Sequence, residues 1–567
     1  MKQKTKGILA FAFLGGILLT STVMFALPPP DPTMTEEEVA MEEQGFTKTG
    51  TLMDNFTDNE RSTFCGTKPA QSNSFVKEFQ IPTVCTQPLA IKVDPSGMIW
   101  FAETNSGNVG MFDPTSESFT EFENKDWPDG ARSMMWGMDY SSDGSVWYTD
   151  PTFDSIWRFD TVSGEYNRLE YPSSESLTQG VSSYTGQESM PQKLKVVGSD
   201  IFVNDFTGGK ITILDIAQGI GGEVVYTSIQ SPLSQGFTGD FELDKNNNLW
   251  YTNWQPDSDG ALVKFNLPNY IERTHVSPDD DVYLQEFIEF YQFPNDLNTA
   301  NGLSADSNGN IWIADTSSSY FFKFDSLTEE FTKYITSNPD QSSYGNYSGV
   351  IKSPVSRPYW MLANDNNIIF NEQTSNRIGI FDTEKESLVE YSIPSRNPGW
   401  ADCGSVEKFD LSDEIDLVYR TSDSSDCGVA QVFGFDIADD KIWFSEWAEN
   451  KIGVINTSKE LPISINVDTN LITVKKGEKS TLNLTLVYSN SLKQDMIEVV
   501  TSNTAPYQSF SYISTSIERN KIQNNQEIVG ITIYANEKSL PGEYKLLIGG
   551  QTDDVIVSKF IDVVIES

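Results

Sequence analysis

The sequence predicts an all-β chain: a seven-bladed β-propeller followed by an immunoglobulin-like β-sandwich, preceded by an N-terminal transmembrane or signal helix. Three observations lead there. The phrase "DPSGMIWFAE" (Asp94–Glu103) returns as "SSDGSVWYTD" ending at Asp150, "DKNNNLWYTN" ending at Asn253 and "DSNGNIWIAD" ending at Asp315, and recurrence at such a period marks a repeat architecture. Around each phrase, short runs of alternating apolar and polar residues are separated by Asp-Pro, Ser-Gly and Thr-Ser clusters, which reads as four strands joined by tight turns. After Ser458 the phrase disappears while the period-two alternation continues, so a second all-β module is expected.

At the N-terminus, "MKQKTKG" is followed by the uncharged apolar run Ile8–Leu27, about the length a helix needs to cross a bilayer. A cleavable signal would end in small residues, and only Ala26 stands at a suitable place; an uncleaved anchor is the preferred reading over cleavage. Residues 1–27 are therefore signal peptide or membrane anchor. Residues 28–73 begin with the proline-rich, then acidic "PPPDPTMTEEEVAMEEQGF" (Pro28–Phe46) and read as a spacer. The expected address is the cell surface, membrane-anchored through the N-terminal helix or secreted.

Residues 74–458 hold the repeats. Units begin near Leu89, Ser133, Met190, Gly236, Ala300, Arg357 and Gln431, and a helical repeat would need apolar residues at threes and fours. Four-stranded units of this kind suit propeller blades, with Trp100, Trp147, Ile201, Trp250, Trp312, Ile369 and Trp443 as blade core. The last unit, Gln431–Ser458, has three strands. "SFVKEFQIP" (Ser74–Pro82) has the pattern of an outer strand, so it is expected to cross over and complete that unit, which removes exposed edges. In it, Phe75, Lys77 and Phe79 should share one face and Val76 and Glu78 the other. Residues 459–567 form the sandwich.

Four cysteines fall as Cys65 and Cys85, then Cys403 and Cys427. Two local disulfides are the natural pairing for an exported chain, one stapling the closing strand and one bracing the loop before the last unit; other pairings stay open at this point. Asn55, Asn346, Asn456 and Asn483 stand in N-x-S/T sequons. The formal net charge of −42, from 81 acidic and 39 basic residues, disfavours nucleic acid as a partner and attracts cations.

Each phrase closes on a carboxylate or an amide: Glu103, Asp150, Asn204, Asn253, Asp315, Glu372 and Glu446. If second strands all return to one rim, these oxygens gather at the channel mouth, where they would repel unless neutralised. Hard oxygen ligands suit Ca²⁺ or Mg²⁺, and the sharpest expectation is an ion shared by Asn301, Asp315 and Glu372 or Glu446, with Glu103 and Asp150 on the same rim. The competing expectation is that each carboxylate caps its own turn.

"DPSGMIWFAETNSGNVGMFDP", "NEQTSNRIGIFDT" and "WFSEWAENKIGVINTS" resemble the repeats of streptogramin B lyase (virginiamycin B lyase-like) propellers over roughly residues 75–458. The resemblance implies a Mg²⁺-assisted elimination that uses histidine near the start of an inner strand. The corresponding positions, Leu89, Trp136, Met190, Gly239, Asn301, Pro358 and Val432, hold none, and the sole histidine, His275, lies in an insertion, which argues against that activity. "ANGLSADSNGNIWIADTSS" (Ala300–Ser319) resembles SMP-30/gluconolactonase-like propellers, where the asparagine matching Asn301 ligates a catalytic metal; the family's other ligands have no clear equivalents, Gln87-Pro88 and Pro358-Tyr359 standing there. The functional expectation is an extracellular binding or scaffold module for a carbohydrate, peptide or protein, with a divalent-metal site at the mouth. The alternative is a metal-dependent lactonase or lyase acting on cyclic esters, with Asp315 or Glu372 activating water.

Overall fold

In the computed structural model the described residues are 65–66, 68–128, 131–172, 189–217, 224–233, 236–255, 260–276, 283–344, 355–401, 403, 405–410, 416–421, 427–488, 497–505, 513–522 and 526–567. The expected N-terminal helix and most of the acidic spacer lie outside them, as do Asn55 and Asn346. No helix among the described residues is long and apolar enough to cross a membrane.

The fold is all-β, built on four-stranded antiparallel sheets of propeller-blade type. The first repeat runs Pro88–Val93, Ile99–Glu103, Val109–Asp113, Ser118–Phe122, each strand paired with the next. The same order recurs in repeats whose first strands are Met138–Tyr140, Pro191–Val197, Phe237–Leu243, Ala300–Ala305 and Pro358–Asn364. Val432–Ala438, Lys441–Glu446 and Lys451–Asn456 lack a following fourth strand, and Val76–Gln80 supplies it, pairing Val76 with Ile455 and Gln80 with Lys451. The crossover expected from "SFVKEFQIP" is therefore present.

Along that strand the faces alternate as expected, with Val76 and Glu78 on the buried side, and the other face is partly covered as well. Phe75, Val76 and Glu78 are buried, Phe79 packs its ring on Phe112 and Trp443, and Lys77 is exposed. Both faces are used because the strand is pressed between its own sheet and its neighbours, as the Phe75 ring against Tyr391 of the sixth repeat shows.

The repeated phrase works as a local lock. In "DPSGMIW" one Asp94 oxygen accepts from the Ser96 and Met98 amides and the other from the Trp100 indole at 2.9 Å. Asp244 does the same for Trp250 and Asp306 for Trp312. An Asx turn thus fixes the hairpin while satisfying the one polar atom of the core tryptophan. Trp100, Trp147, Ile201, Trp250, Trp312, Ile369 and Trp443 are all buried, as expected of blade core. The glycine of the third strand has a steric reason: a Cβ on Gly110 would lie 2.1 Å from the Phe101 ring, and Gly453 meets Phe444 in the same way.

The residue before the closing acid stitches repeats together. Thr149 Oγ1 donates to the Gln192 carbonyl, Asn204 Nδ2 to Thr238, Thr252 Oγ1 to Ala300, Asn371 Nδ2 to Val432 and Ser445 Oγ to Leu89. Each bond crosses from one sheet to the first strand of the next, and the last returns to the first repeat. Asn204 belongs to this stitching set. The register pairs Pro191 with Asp205 as it pairs Pro88 with Glu103, so Asp205 closes the third phrase, and the reading of Asn204 as the closer was one residue off.

The expected insertion of the fourth repeat contains the helix Leu267–Val276, which carries His275 in its backbone. Its start is capped by Asn266, whose Oδ1 accepts from the Asn269 amide at 3.1 Å.

After Ser458 two sheets face one another. One orders Ile463–Val467, Lys479–Tyr488, Gln526–Ala535 and Ile513–Ile517. The other contains Ile497–Asn503, Gly542–Gln551 and Val555–Glu566, with Leu471–Lys475 added in parallel. Leu482, Leu484, Ile531, Ile548 and Ile561 fill the space between them. This module is not a separate bead. Val555–Glu566 pairs with Ser387–Ser392, the outer strand of the sixth repeat, making one nine-stranded sheet. Lys545 Nζ reaches Glu386 and Asp562 at 2.8 and 2.9 Å, and the Phe560 ring packs on Tyr334 and Phe381. Both disulfides form as the local pairing expected, Cys65–Cys85 and Cys403–Cys427.

Candidate functional site

The closing carboxylates do lie at strand ends, but each is built into its own sheet. Asp315 accepts from the Thr299 amide, from Ser317 through both its amide and hydroxyl, and from the Ser318 hydroxyl. Asp150 accepts from the Phe153 amide and from the Trp157 indole. Burial pushes both carboxyls above the usual range, against these donors. Asn301 sits one residue into the first strand of its repeat, and its Oδ1 has no hydrogen-bond partner.

Glu103, Glu372 and Glu446 follow a different plan. Each is buried against a second glutamate on the fourth strand of the same sheet: Glu121, Glu390 and Glu78 respectively. The fourth-strand partners are anchored by the preceding repeat's exit loop. Glu78 accepts from the Ser395 amide and hydroxyl, Glu390 from those of Ser337, and Glu121 from Thr83 Oγ1. Glu372 meets Glu390 and Ser375, and Glu446 meets Glu78. Two ionised carboxylates can only accept, so the arrangement calls for a proton on the closing glutamate. Burial first, and the neighbouring carboxylate second, hold Glu103, Glu372 and Glu446 well above the usual glutamate range, with Arg377 and Lys451 opposing this in the last two.

Among the described residues no three His, Cys, Asp or Glu side chains come close enough to hold an ion. The expected shared site of Asn301, Asp315 and Glu372 or Glu446 has its Asp315 oxygens already engaged by four donors, and hard cations want six to eight oxygens.

The sequence places Leu89, Trp136 and Tyr359 at first-strand starts, but their meeting with Phe433, Trp447 and Trp400 was not foreseen. Where first strands begin, aromatic rings from different repeats meet across the axis. Trp136 of the second repeat stacks on Tyr359 of the sixth at 6.2 Å and meets Phe433 of the seventh at 5.2 Å; Phe433 touches Trp447, which meets Trp400 at 5.0 Å. Leu89 and Met134 complete the cluster. Polar groups ring it. The Arg132 guanidinium lies 5.5 Å over the Trp447 ring and donates to Gln87 Oε1, while Gln373 Nε2 donates to Gln431 Oε1. Arg357, Gln87 and Gln431 each precede a first strand at positive φ, near +57°, +52° and +56°. Burial pushes the guanidinium groups of Arg132 and Arg357 down to about 10.

The indole N–H groups of Trp136, Trp400 and Trp447 have no acceptor, and Gln373 Oε1 and Asn301 Oδ1 have no partner. A buried unpaired polar atom costs about 1–3 kcal/mol. A signal existed at the first strands, where Trp136, Tyr359 and Phe433 put aromatics at a position that holds Leu89, Gln192, Gly239 and Asn301 in the other repeats.

Beneath the aromatics the channel holds a cavity of about 190 Å³, lined by Trp136 and Trp360 and by charged groups of the first strands. Lys193 sits 4.2 Å over the Trp360 ring and 2.7 Å from Asp240; Lys92 lies 3.5 Å from both Asp139 and Asp436. Burial raises Asp240 to about 6 against the pull of Lys193. The acids also bind backbone of the next repeat, Asp436 at Val93, Asp139 at Val196 and Asp240 at Leu303. They are joints of the ring.

No family model and no curated protein sequence matches the chain. Solved structures do. Virginiamycin B lyase from Staphylococcus aureus is 17% identical, over 67% of this chain and 98% of its own, with a TM-score of 0.44. A calcium-binding protein, regucalcin, from Agrobacterium tumefaciens is 11% identical over 57% and 89%, with a TM-score of 0.33. An extracellular domain from B. thetaiotaomicron, of hybrid two component system BT4673, is 13% identical over 88% of this chain and 60% of its own, with a TM-score of 0.42.

Proposed function

We propose that the chain is an exported binding or scaffold module: a closed seven-bladed propeller, carrying an immunoglobulin-like sandwich on its sixth blade, that holds a ligand at its channel mouth without converting it. The supporting observation is the mouth itself, where Trp136, Tyr359, Phe433, Trp447 and Trp400 meet among indole N–H groups that lack acceptors. Aromatic area with a few convergent polar atoms is how binding sites are built. The cycle of first-strand contacts supports seven-blade closure: Pro88–Val93 touches both Met138–Tyr140 and Val432–Ala438, and Val432–Ala438 touches Pro358–Asn364. Two disulfides fit an oxidising compartment, and the apolar run Ile8–Leu27 would bring the chain there.

The test is a parallel assay on the purified chain. One arm measures retention of extracellular polysaccharides and peptides on an array, with Trp447→Phe as control; the other measures consumption of a lactone panel with and without EDTA. Retention lost in Trp447→Phe without lactone consumption supports the binding module. Consumption that needs divalent metal overturns it in favour of the hydrolase.

A further inference from the structure

Two sequons fall among the described residues, Asn456-Thr457-Ser458 and Asn483-Leu484-Thr485, and the fold treats them differently. Asn483 lies inside the strand Lys479–Tyr488, paired with Gly530 of the neighbouring strand. Its side chain is engaged at the nitrogen: Nδ2 donates to Asp468 Oδ2 at 2.8 Å, and the Asn483 backbone amide donates to the other oxygen of that carboxylate at 3.0 Å. An amide nitrogen held by a carboxylate in the middle of a ladder is badly placed to take on a bulky group.

Asn456 is the last residue of Lys451–Asn456, where the chain leaves the propeller for the sandwich. Its side chain is held by the oxygen alone. Oδ1 accepts from the Ser458 amide at 3.0 Å and from the Ser458 hydroxyl at 2.7 Å, a hydroxyl that Asp440 also reaches. Both bonds are solvent-exposed, and Nδ2 has no partner among the described residues. The backbone around it is pinned, since the Asn456 amide donates to the Phe75 carbonyl at 3.1 Å and the Thr457 amide and hydroxyl donate to the Asp440 carbonyl at 2.9 and 2.8 Å. The amide plane is therefore fixed with its nitrogen edge free, and the residue that fixes it is the hydroxyl two positions on, the one a sequon requires. The turn also borders open space. Thr457 and Glu460 line a groove of about 1270 Å³ between the sixth repeat and the sandwich, room for a transferase to approach and for a bulky group to stand.

We infer that Asn456 is the acceptor of an N-linked glycan, attached as the chain is exported. A bond forms between Nδ2 and the anomeric carbon of an oligosaccharide carried on a lipid phosphate; the bond from that carbon to the phosphate oxygen breaks, the lipid phosphate leaves with the electron pair, and Nδ2 gives up a proton. Donor and transferase belong to the exporting membrane. The inference rests on the chain being exported, as proposed above.

The experiment is peptide mapping by mass spectrometry of the full chain purified from the cells that make it. The peptide holding Asn456 should carry the added mass of a glycan, and the peptide holding Asn483 should appear at its unmodified mass. Ser458→Ala, a change at an exposed turn, should lose the glycan, and Ser458→Thr, which keeps the hydroxyl, should retain it. A glycan that survives Ser458→Ala overturns attachment through this sequon. Glycan on Asn483, alone or together with Asn456, overturns the structural choice between the two. Both asparagines bare, in a chain that protease added to intact cells digests, overturns the glycan and leaves export standing. Both bare, in a chain cut only after lysis, overturns export as well.

Discussion

Glu446 and Glu78 lie against one another in the interior of the last repeat, one from the returning strand and one from the strand that closes the ring. Glu78 is supplied with donors by Gln71, Ser395 and Lys451, whereas Glu446 has Glu78 itself as its hydrogen-bonding neighbour. The pair holds if Glu446 keeps its proton and donates to Glu78. The groups facing it are Glu78, Glu449 and Lys451, and Glu372 is placed the same way among Glu390, Arg377 and Ser375.

The sign of the pH effect follows from this. Glu103, Glu372 and Glu446 have folded values raised well above 4.5, the unfolded reference. Their contribution is fully present below that reference and is lost as pH rises through the raised folded values. Urea midpoints of the wild type should therefore fall from weakly acid toward alkaline pH. Glu372→Gln with Glu446→Gln should flatten that slope, since glutamine stays neutral and can donate. A slope unchanged by the double substitution would contradict the shared-proton arrangement.

Ring closure places the N-terminal strand in the core of a distant repeat. Phe75→Ala removes a buried ring packed on Tyr391 and should cost about 3 kcal/mol in chemical denaturation. A loss under about 1 kcal/mol, the range of surface changes, would mean that the strand is not part of the cooperative unit.

The turn lock can be tested at Asp306. Asp306→Ala leaves the Trp312 indole and the Asn308 and Asn310 amides without their acceptor. Stability should drop by about 2–4 kcal/mol, with Trp312 fluorescence shifted to the red. Asp306→Asn, which keeps an acceptor oxygen, should recover part of the loss.

The shared sheet makes a calorimetric prediction. Because Val555–Glu566 is hydrogen-bonded to Ser387–Ser392 and buries Phe560 against Tyr334, propeller and sandwich should melt in one transition. Val557→Pro, which removes a ladder hydrogen bond, should lower it as a whole. Two transitions in the wild type would show independent modules.

Much of the architecture was legible because it is local and periodic. The recurrence of the phrase announced strands joined by tight turns, and the outer-strand pattern of "SFVKEFQIP" announced the crossover. The residues of the aromatic cluster were harder to read because their meeting is not a local property. Trp136, Tyr359 and Trp447 acquire meaning when repeats two, six and seven are brought around one axis, and no spacing along the chain encodes that meeting. The closing glutamates were legible as a set, but their partners on the fourth strand were not. Glu121, Glu390 and Glu78 look like exposed outer-strand acids until the Ser395, Ser337 and Thr83 loops are seen folding over them. The junction of Val555–Glu566 with the sixth repeat is a tertiary pairing between segments far apart in the chain.

The central claim is that the mouth binds and releases its ligand unchanged. The most direct measurement is mass spectrometry of the ligand recovered after prolonged incubation with excess chain, with added Ca²⁺ or Mg²⁺ and with EDTA. The prediction is recovery at the original mass in every condition, with retention that Trp447→Phe abolishes. New products whose yield rises with metal and falls with EDTA would contradict it.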